Sequence, residues 1–121
     1  MNKRKTGKAH EELAAEYLNA KGYAIRESNY RCKIGEIDLI AADLTKEKPE
    51  LVFVEVKYRS SDRFGLPLEA VDFRKQQKII AVSKYYLMEK KLPDNTDMRF
   101  DVIGILGNEI THVENAFTGW L

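Results

Sequence analysis

The period of hydrophobic and polar positions changes several times along the chain, and each change marks a predicted element. From about Thr6 to Lys21, the residues Leu13, Ala14, Tyr17 and Leu18 recur as one stripe at the spacing of a helix, and Gly22 is placed to stop it. Extended patterns follow over Tyr23 to Arg31, Gly35 to Ala42 and Leu51 to Arg59, with a polar turn between the last two. Strands joined by such short links are expected to be antiparallel neighbours. Leu51 to Lys57 carries apolar residues on both faces, so it is the expected centre of the sheet. A second helix is predicted from Phe73 to about Lys91, N-capped by Asp72, buried through Ile79, Val82, Tyr86 and Leu87, and ended by Pro93. Met98 to Leu106, a turn at Gly107 and Asn108, and Glu109 to Glu114 complete the pattern. The expectation is one α/β domain, a mixed sheet flanked by helices, with residues 1–6 as a flexible basic tail.

Composition narrows the setting. The 121 residues, 44% hydrophobic and 32% charged, suit one soluble domain that needs no disulfide or structural metal. Cys32 is the only cysteine, which excludes an internal disulfide and a cysteine-based zinc site and fits a reducing compartment. No apolar run approaches the ~18 residues of a membrane span. The basic start Met1 to Lys5 is followed by Glu11, Glu12 and Glu16 rather than by an apolar stretch, so the expected location is cytoplasmic, with no membrane partner. Net charge is +1, so any nucleic-acid site must be a local patch.

The charges inside the strands carry the chemistry. Glu55 and Lys57 interrupt an otherwise buried run, and burying either unpaired costs several kcal/mol. At i and i+2 they share a face with Phe53. Asp38 sits among apolar residues of the preceding strand, and a hairpin brings it alongside Glu55. Two carboxylates facing one spot need a cation or a proton between them, and Mg2+ (or Mn2+) suits one or two carboxylates with water and phosphate oxygens completing its shell. Asp38 and Glu55 are therefore the candidate metal ligands. Lys57 would orient the attacking water and offset charge in the transition state. An internal ion-pair network of the same three residues, without metal, is the competing reading.

On the first helix, Glu11 borders the apolar face and is the carboxylate best placed to reach a neighbouring element, while His10 reads as a partly buried, satisfied histidine. Weaker substrate-binding candidates are Arg59 and Arg63 on a basic segment leaving the third strand, and Arg74, Lys75, Gln76 and Lys78 opening the second helix. A solvated helix face is the alternative for these last four. Glu36 either backs Asp38 or faces solvent, and Asp101, inside an apolar strand, has no assigned role.

The blocks Gly35 to Ile40 and Val52 to Arg59, with Phe64, Gly65, Val71, Lys75, Gln76, Arg99 to Val102 and Glu114 to Phe117, resemble the YraN-type family of uncharacterised bacterial proteins. The resemblance runs from about Gly7 to Phe117. That family is assigned to the PD-(D/E)xK nuclease superfamily and is similar to archaeal Holliday-junction resolvases. The resemblance implies a restriction-endonuclease-like core of mixed sheet and flanking helices. It also implies a Mg2+-dependent phosphodiesterase site at Asp38, Glu55 and Lys57, with Glu11 as a further acidic member. Two departures stand out: Ile37 precedes Asp38 where the superfamily has proline, and His10 stands where a small residue is usual.

Two functions and a structural alternative follow. One is a metal-dependent endonuclease acting on DNA, including branched or Holliday-junction DNA, where symmetric cutting would require a homodimer. The other is a non-catalytic nucleic-acid-binding or adaptor protein that keeps the nuclease fold. A purely structural protein with an internal salt bridge is a third.

Overall fold

The computed structural model describes residues 3–61 and 71–118, with side chains from residue 7 onward. Its elements are α1 (Lys3–Lys21), β1 (Tyr23–Arg31), β2 (Glu36–Asp43), β3 (Glu50–Arg59), α2 (Phe73–Glu89), β4 (Met98–Leu106) and β5 (Glu109–Phe117). The strands form one sheet in the order β1-β2-β3-β4-β5, so β3 is central as its two-sided pattern requires. Pairing is antiparallel except between β3 and β4, which run parallel and are joined through α2, the crossover that parallel neighbours need. This five-stranded mixed α/β sheet with two helices is compatible with a restriction-endonuclease-like core.

Each helix covers one face. On the α1 face, Ala14 and Leu18 pack with Leu39, Ala41, Val52, Val54, Ile103 and Ile105. On the α2 face, Ile79, Val82, Tyr86 and Leu87 pack with Ile37, Ile40, Phe53, Phe100 and Val102. The alternation of Val52, Phe53 and Val54 between the two clusters follows directly from the strand period.

Three boundaries and the burial of one residue differ from the sequence expectation. The basic N-terminal segment is helical from Lys3 rather than a tail to residue 6, consistent with the helix propensity of Lys and Arg. Leu13 is 36% exposed instead of buried, because the stripe is centred on Ala14 and Leu18 and Leu13 lies about 100° before Ala14. Helix α2 stops at Glu89, before Pro93 is reached. There Lys91 adopts φ 56, the Lys91 N–H donates to the Met88 carbonyl, and the Leu92 N–H donates to the Leu87 carbonyl, a Schellman closure without glycine. Strand β5 runs to Phe117, past a register shift opposite Asp101. The α1 stop is as expected: Gly22 has φ 106, and a Cβ there would meet Thr45 Cγ2 at 2.9 Å.

Candidate active site

The pairing of β2 with β3 runs from Asp43↔Glu50 to Leu39↔Val54 and goes no further, although the same register would set Asp38 opposite Glu55. At that point Asp38 Oδ2 accepts the backbone N–H of Val56 at 2.8 Å, so a side chain replaces the carbonyl that the ladder would have supplied. The two strands fork there. Ile37 and Ile40, three residues apart, both pack on the α2 face, so the strand alternation is broken between them and Asp38 lies in the fork.

Three carboxyl groups meet around this split. Glu55, 4% exposed, and half-buried Glu11 both lie close enough to Asp38 for its charge to raise them. Lys57 Nζ lies 3.4 Å from Glu55 Oε1, as the i, i+2 relation predicts, and Lys75 Nζ reaches the same oxygen from α2 at 3.7 Å. The fork thus joins the two faces, with Glu11 coming from α1 and Lys75 from α2. Burial raises the Glu55 carboxyl to about 7, with Asp38 adding to the rise and Lys75 and Lys57 opposing it. Glu11 is raised as well, first by burial and then by Asp38, against the lowering effect of the Asn29 side-chain amide.

The structure brings Glu11, Asp38, Glu55 and Lys57 together, and it adds Lys75 in a more intimate place than a phosphate-binding surface. The other candidates are dispersed. Arg59, at the end of β3, turns its guanidinium back to the Tyr58 carbonyl at 2.9 Å. Gln76 donates to the Val71 carbonyl at 3.2 Å and so fastens the start of α2 rather than standing free for phosphate. Arg74 and Lys78 are exposed, and the Lys78 stem lies over Gly35, where an added Cβ would meet its Cδ at 3.1 Å. Glu36 faces solvent in a 3.0 Å pair with Arg31. Arg63, Phe64 and Gly65 lie outside the described residues. His10 is half-buried and stacked on Tyr58 at 3.6 Å between ring centroids, which clamps α1 to the end of β3 beside Glu11 and Lys57.

Among the described residues no group of three or more His, Cys, Asp or Glu side chains is arranged to hold an ion by protein ligands alone. A hard divalent ion that keeps most of its water needs only one or two carboxylates. Asp38 and Glu55 are such a pair: both are oxygen donors, the β2–β3 register sets them opposite each other, and the two lysines leave the Glu55 carboxyl still raised. The donor set therefore fits Mg2+ or Mn2+.

Asn29 gave no sequence signal. It has φ 54 inside β1, and the pairs Ser28↔Leu39 and Tyr30↔Ile37 set it opposite Asp38. Arg99 entered the sequence analysis only as part of a family block, with no role assigned. It is 6% exposed and binds Asp101 through Nε at 2.9 Å, Asp43 at 2.8 Å and Glu50 at 2.9 Å, at the end of the sheet away from the fork. Asp101 also takes His112 Nε2 at 2.7 Å and the Asn115 N–H at 2.9 Å, which supplies the role its sequence position left open.

Comparison with known proteins adds a lineage to this geometry. The profile described as "Uncharacterised protein family UPF0102" matches residues 10–105, a span that includes Glu11, Asp38, Glu55, Lys57 and Lys75. A UPF0102 protein of Lachnoclostridium phytofermentans is 46% identical over 120 residues, covering 99% of this chain and 98% of its own. One from Clostridioides difficile is 49% identical over 119 residues, covering 97% and 100%, and one from Fusobacterium nucleatum is 41% identical over 119 residues, covering 98% and 96%. With β1 to β3 and all but the last residue of β4 inside the matched span, and relatives that match over nearly their whole length, the chain belongs to the UPF0102 family.

Proposed function

We propose that the protein is a Mg2+- or Mn2+-dependent endonuclease that hydrolyses phosphodiester bonds in DNA, with Asp38 and Glu55 holding the ion. The observation that carries this reading is the buried Glu55 carboxyl pressed against Asp38 at a strand fork, raised to about 7 although two lysines attend it. A pair of this kind is poorly compensated by protein alone, which is what a cation site looks like before its cation arrives. The resemblance of the Asp38, Glu55 and Lys57 pattern to PD-(D/E)xK nucleases supports the same reaction class.

When bound, the ion would polarise the phosphate and acidify a water molecule. The chain's own groups do the rest. Lys57, held beside Glu55 at the strand end, orients the attacking water and offsets negative charge as the phosphorus becomes five-coordinate. Glu11 completes the acidic cluster and takes a proton from the water. Lys75, 34% exposed and already at Glu55, is the cation of α2 that we assign to the phosphate flanking the cut. No base-reading motif accompanies these groups, so substrate choice rests on backbone shape and phosphate contacts. We place the activity in the cytoplasm, where a lone cysteine stays reduced. Among the described residues no helix is long and apolar enough to cross a membrane.

The test is incubation of labelled linear, flapped and four-way DNA with Mg2+ or Mn2+, beside Glu55→Ala and Lys57→Ala. The expected result is cutting that both substitutions abolish. Binding without cutting, unchanged in both variants, would overturn the enzyme in favour of the adaptor. Cutting of the four-way substrate in symmetric pairs would further call for a dimer in sedimentation.

A further inference from the structure

The turn between β1 and β2 holds residues that turn geometry does not ask for. The Cys32 N–H donates to the Gly35 carbonyl at 2.9 Å, which closes the turn and leaves Lys33 and Ile34 at its tip, both exposed. Tight hairpin turns favour asparagine, aspartate and glycine, and a branched apolar side chain held in water forfeits the free energy of burial. Ile34 is nevertheless 44% exposed, while Cys32 before it packs on the α2-face core and Ile37 after it is fully buried there. A single exposed apolar side chain is ordinary on a protein surface. What singles this one out is the charge around it.

Gly35 lets the turn approach α2 closely: a Cβ there would meet Lys78 Cδ at 3.1 Å and Val82 Cγ2 at 3.5 Å. Lys78 therefore stands beside the tip, and Arg74 continues the row one helical turn earlier. Lys75, on the same flank of α2, leads to Glu55 at the fork. The acids nearby in sequence are committed elsewhere, Glu36 to Arg31 at 3.0 Å and Asp72 to the Lys75 N–H that it caps at 2.8 Å. Among the described residues no carboxylate pairs with Lys33, Arg74 or Lys78. An apolar tip set among uncompensated cations matches the chemistry of a nucleic-acid duplex, with stacked bases inside and phosphates outside.

We infer that the β1–β2 tip is a DNA wedge: Ile34 enters between base steps while Lys33, Lys78 and Arg74 hold the phosphates around it. The wedge deepens the endonuclease reading and rests on it for its DNA partner. Unstacking a step costs least where the stack is already interrupted, so the wedge favours branched over continuous duplex DNA.

Fluorescence anisotropy of the full chain in EDTA, on labelled four-way and linear duplex DNA, measures binding apart from cutting. The variants are Lys33→Ala, Lys78→Ala and Ile34→Ser, with Leu44→Ser as control, a residue 51% exposed in the turn at the opposite end of β2. All four positions are exposed, and unchanged melting temperatures verify the fold. Each lysine variant is expected to weaken both DNAs and to lower the slope of log affinity against log salt by about one. Ile34→Ser is expected to weaken four-way DNA by about tenfold while changing linear duplex by less than about twofold. Leu44→Ser is expected to bind as wild type. No loss in Ile34→Ser, an equal loss on both DNAs, the same loss in Leu44→Ser, or wild type that binds no DNA would overturn the wedge. Cutting with Mg2+ is read separately. If binding follows the expected pattern but wild type never cuts, the endonuclease reading falls and the wedge stands; if wild type cuts while Ile34→Ser binds four-way DNA equally well, the wedge falls alone.

Discussion

The sheet carries two clusters of charge, one toward each end of its strands, built on the same local device. At one end Asp38 captures the Val56 N–H where β2 leaves β3; at the other Asp101 captures the Asn115 N–H where β4 and β5 slip register. A left-handed asparagine accompanies each. Their partners are opposite in kind. Around Asp101 stand Arg99, in contact with Asp43, Glu50 and Tyr23, and His112, whose Nδ1 accepts from Lys21 so that its proton sits on Nε2. Around Asp38 stand two more carboxyl groups. Burial alone would raise Asp43, yet the Thr45 hydroxyl and N–H together with Arg99 bring it down to about 2; Asp101, despite its burial, is lowered by His112, Arg99 and the Asn115 N–H. Glu55 moves the other way, to about 7. The contrast separates two uses of a buried acid. Where every charge finds its counterpart inside the protein, the cluster is a brace; where carboxyls are left facing one another, the proposed metal ion would supply the missing counterpart.

The contrast is broken most forcefully at Arg99. Arg99→Met leaves Asp43 and Asp101 buried without their cation, and the expected loss is about 3–5 kcal/mol in urea unfolding at pH 7. A loss below about 1 kcal/mol would mean that the far cluster is no brace. The acidic end should respond to pH with the opposite sign. Because the folded Glu55 carboxyl titrates near 7, above its ordinary 4.5, its contribution is fully present below about pH 4.5 and is lost as pH rises through 7. The span is of order 3 kcal/mol. Asp43, held near 2, contributes above its ordinary 3.8 and loses that contribution as pH falls through about 2. Melting temperature against pH in Glu55→Gln should therefore flatten between pH 4.5 and 7 while the acid-side fall persists. An unchanged profile would detach that pH range from Glu55. The smallest effect is expected at the exposed Arg31–Glu36 pair, where Arg31→Ala should change stability by less than about 0.5 kcal/mol despite a 3.0 Å contact. A larger loss would show that distance, and not burial, sets the value of these pairs.

Much of this was legible in the residue pattern. Asp38, Glu55 and Lys57 announced themselves because a charge in an apolar strand demands compensation, and the i, i+2 relation of Glu55 and Lys57 fixed their common face. Lys75 was legible only as a cation on a helix; its reach to Glu55 depends on where α2 crosses the sheet. Asn29 and Lys91 escaped because left-handed backbone leaves a mark in sequence chiefly when glycine supplies it. Arg99 and Asp101 could be seen but not paired, since Asp43 stands 56 residues away from Arg99.

By itself the sequence determined the order and kind of the elements, the central place of β3 and the presence of ionisable groups that could not be buried alone, because these follow from local period and from the cost of desolvating charge. Only the tertiary structure decided which charges meet. Hydrogen-bond register, the fork beyond Leu39 and Val54, and the crossing of two helices over opposite faces set distances between residues far apart in the chain. Those distances made one buried group of acids a closed brace and left the other with its carboxyls facing one another.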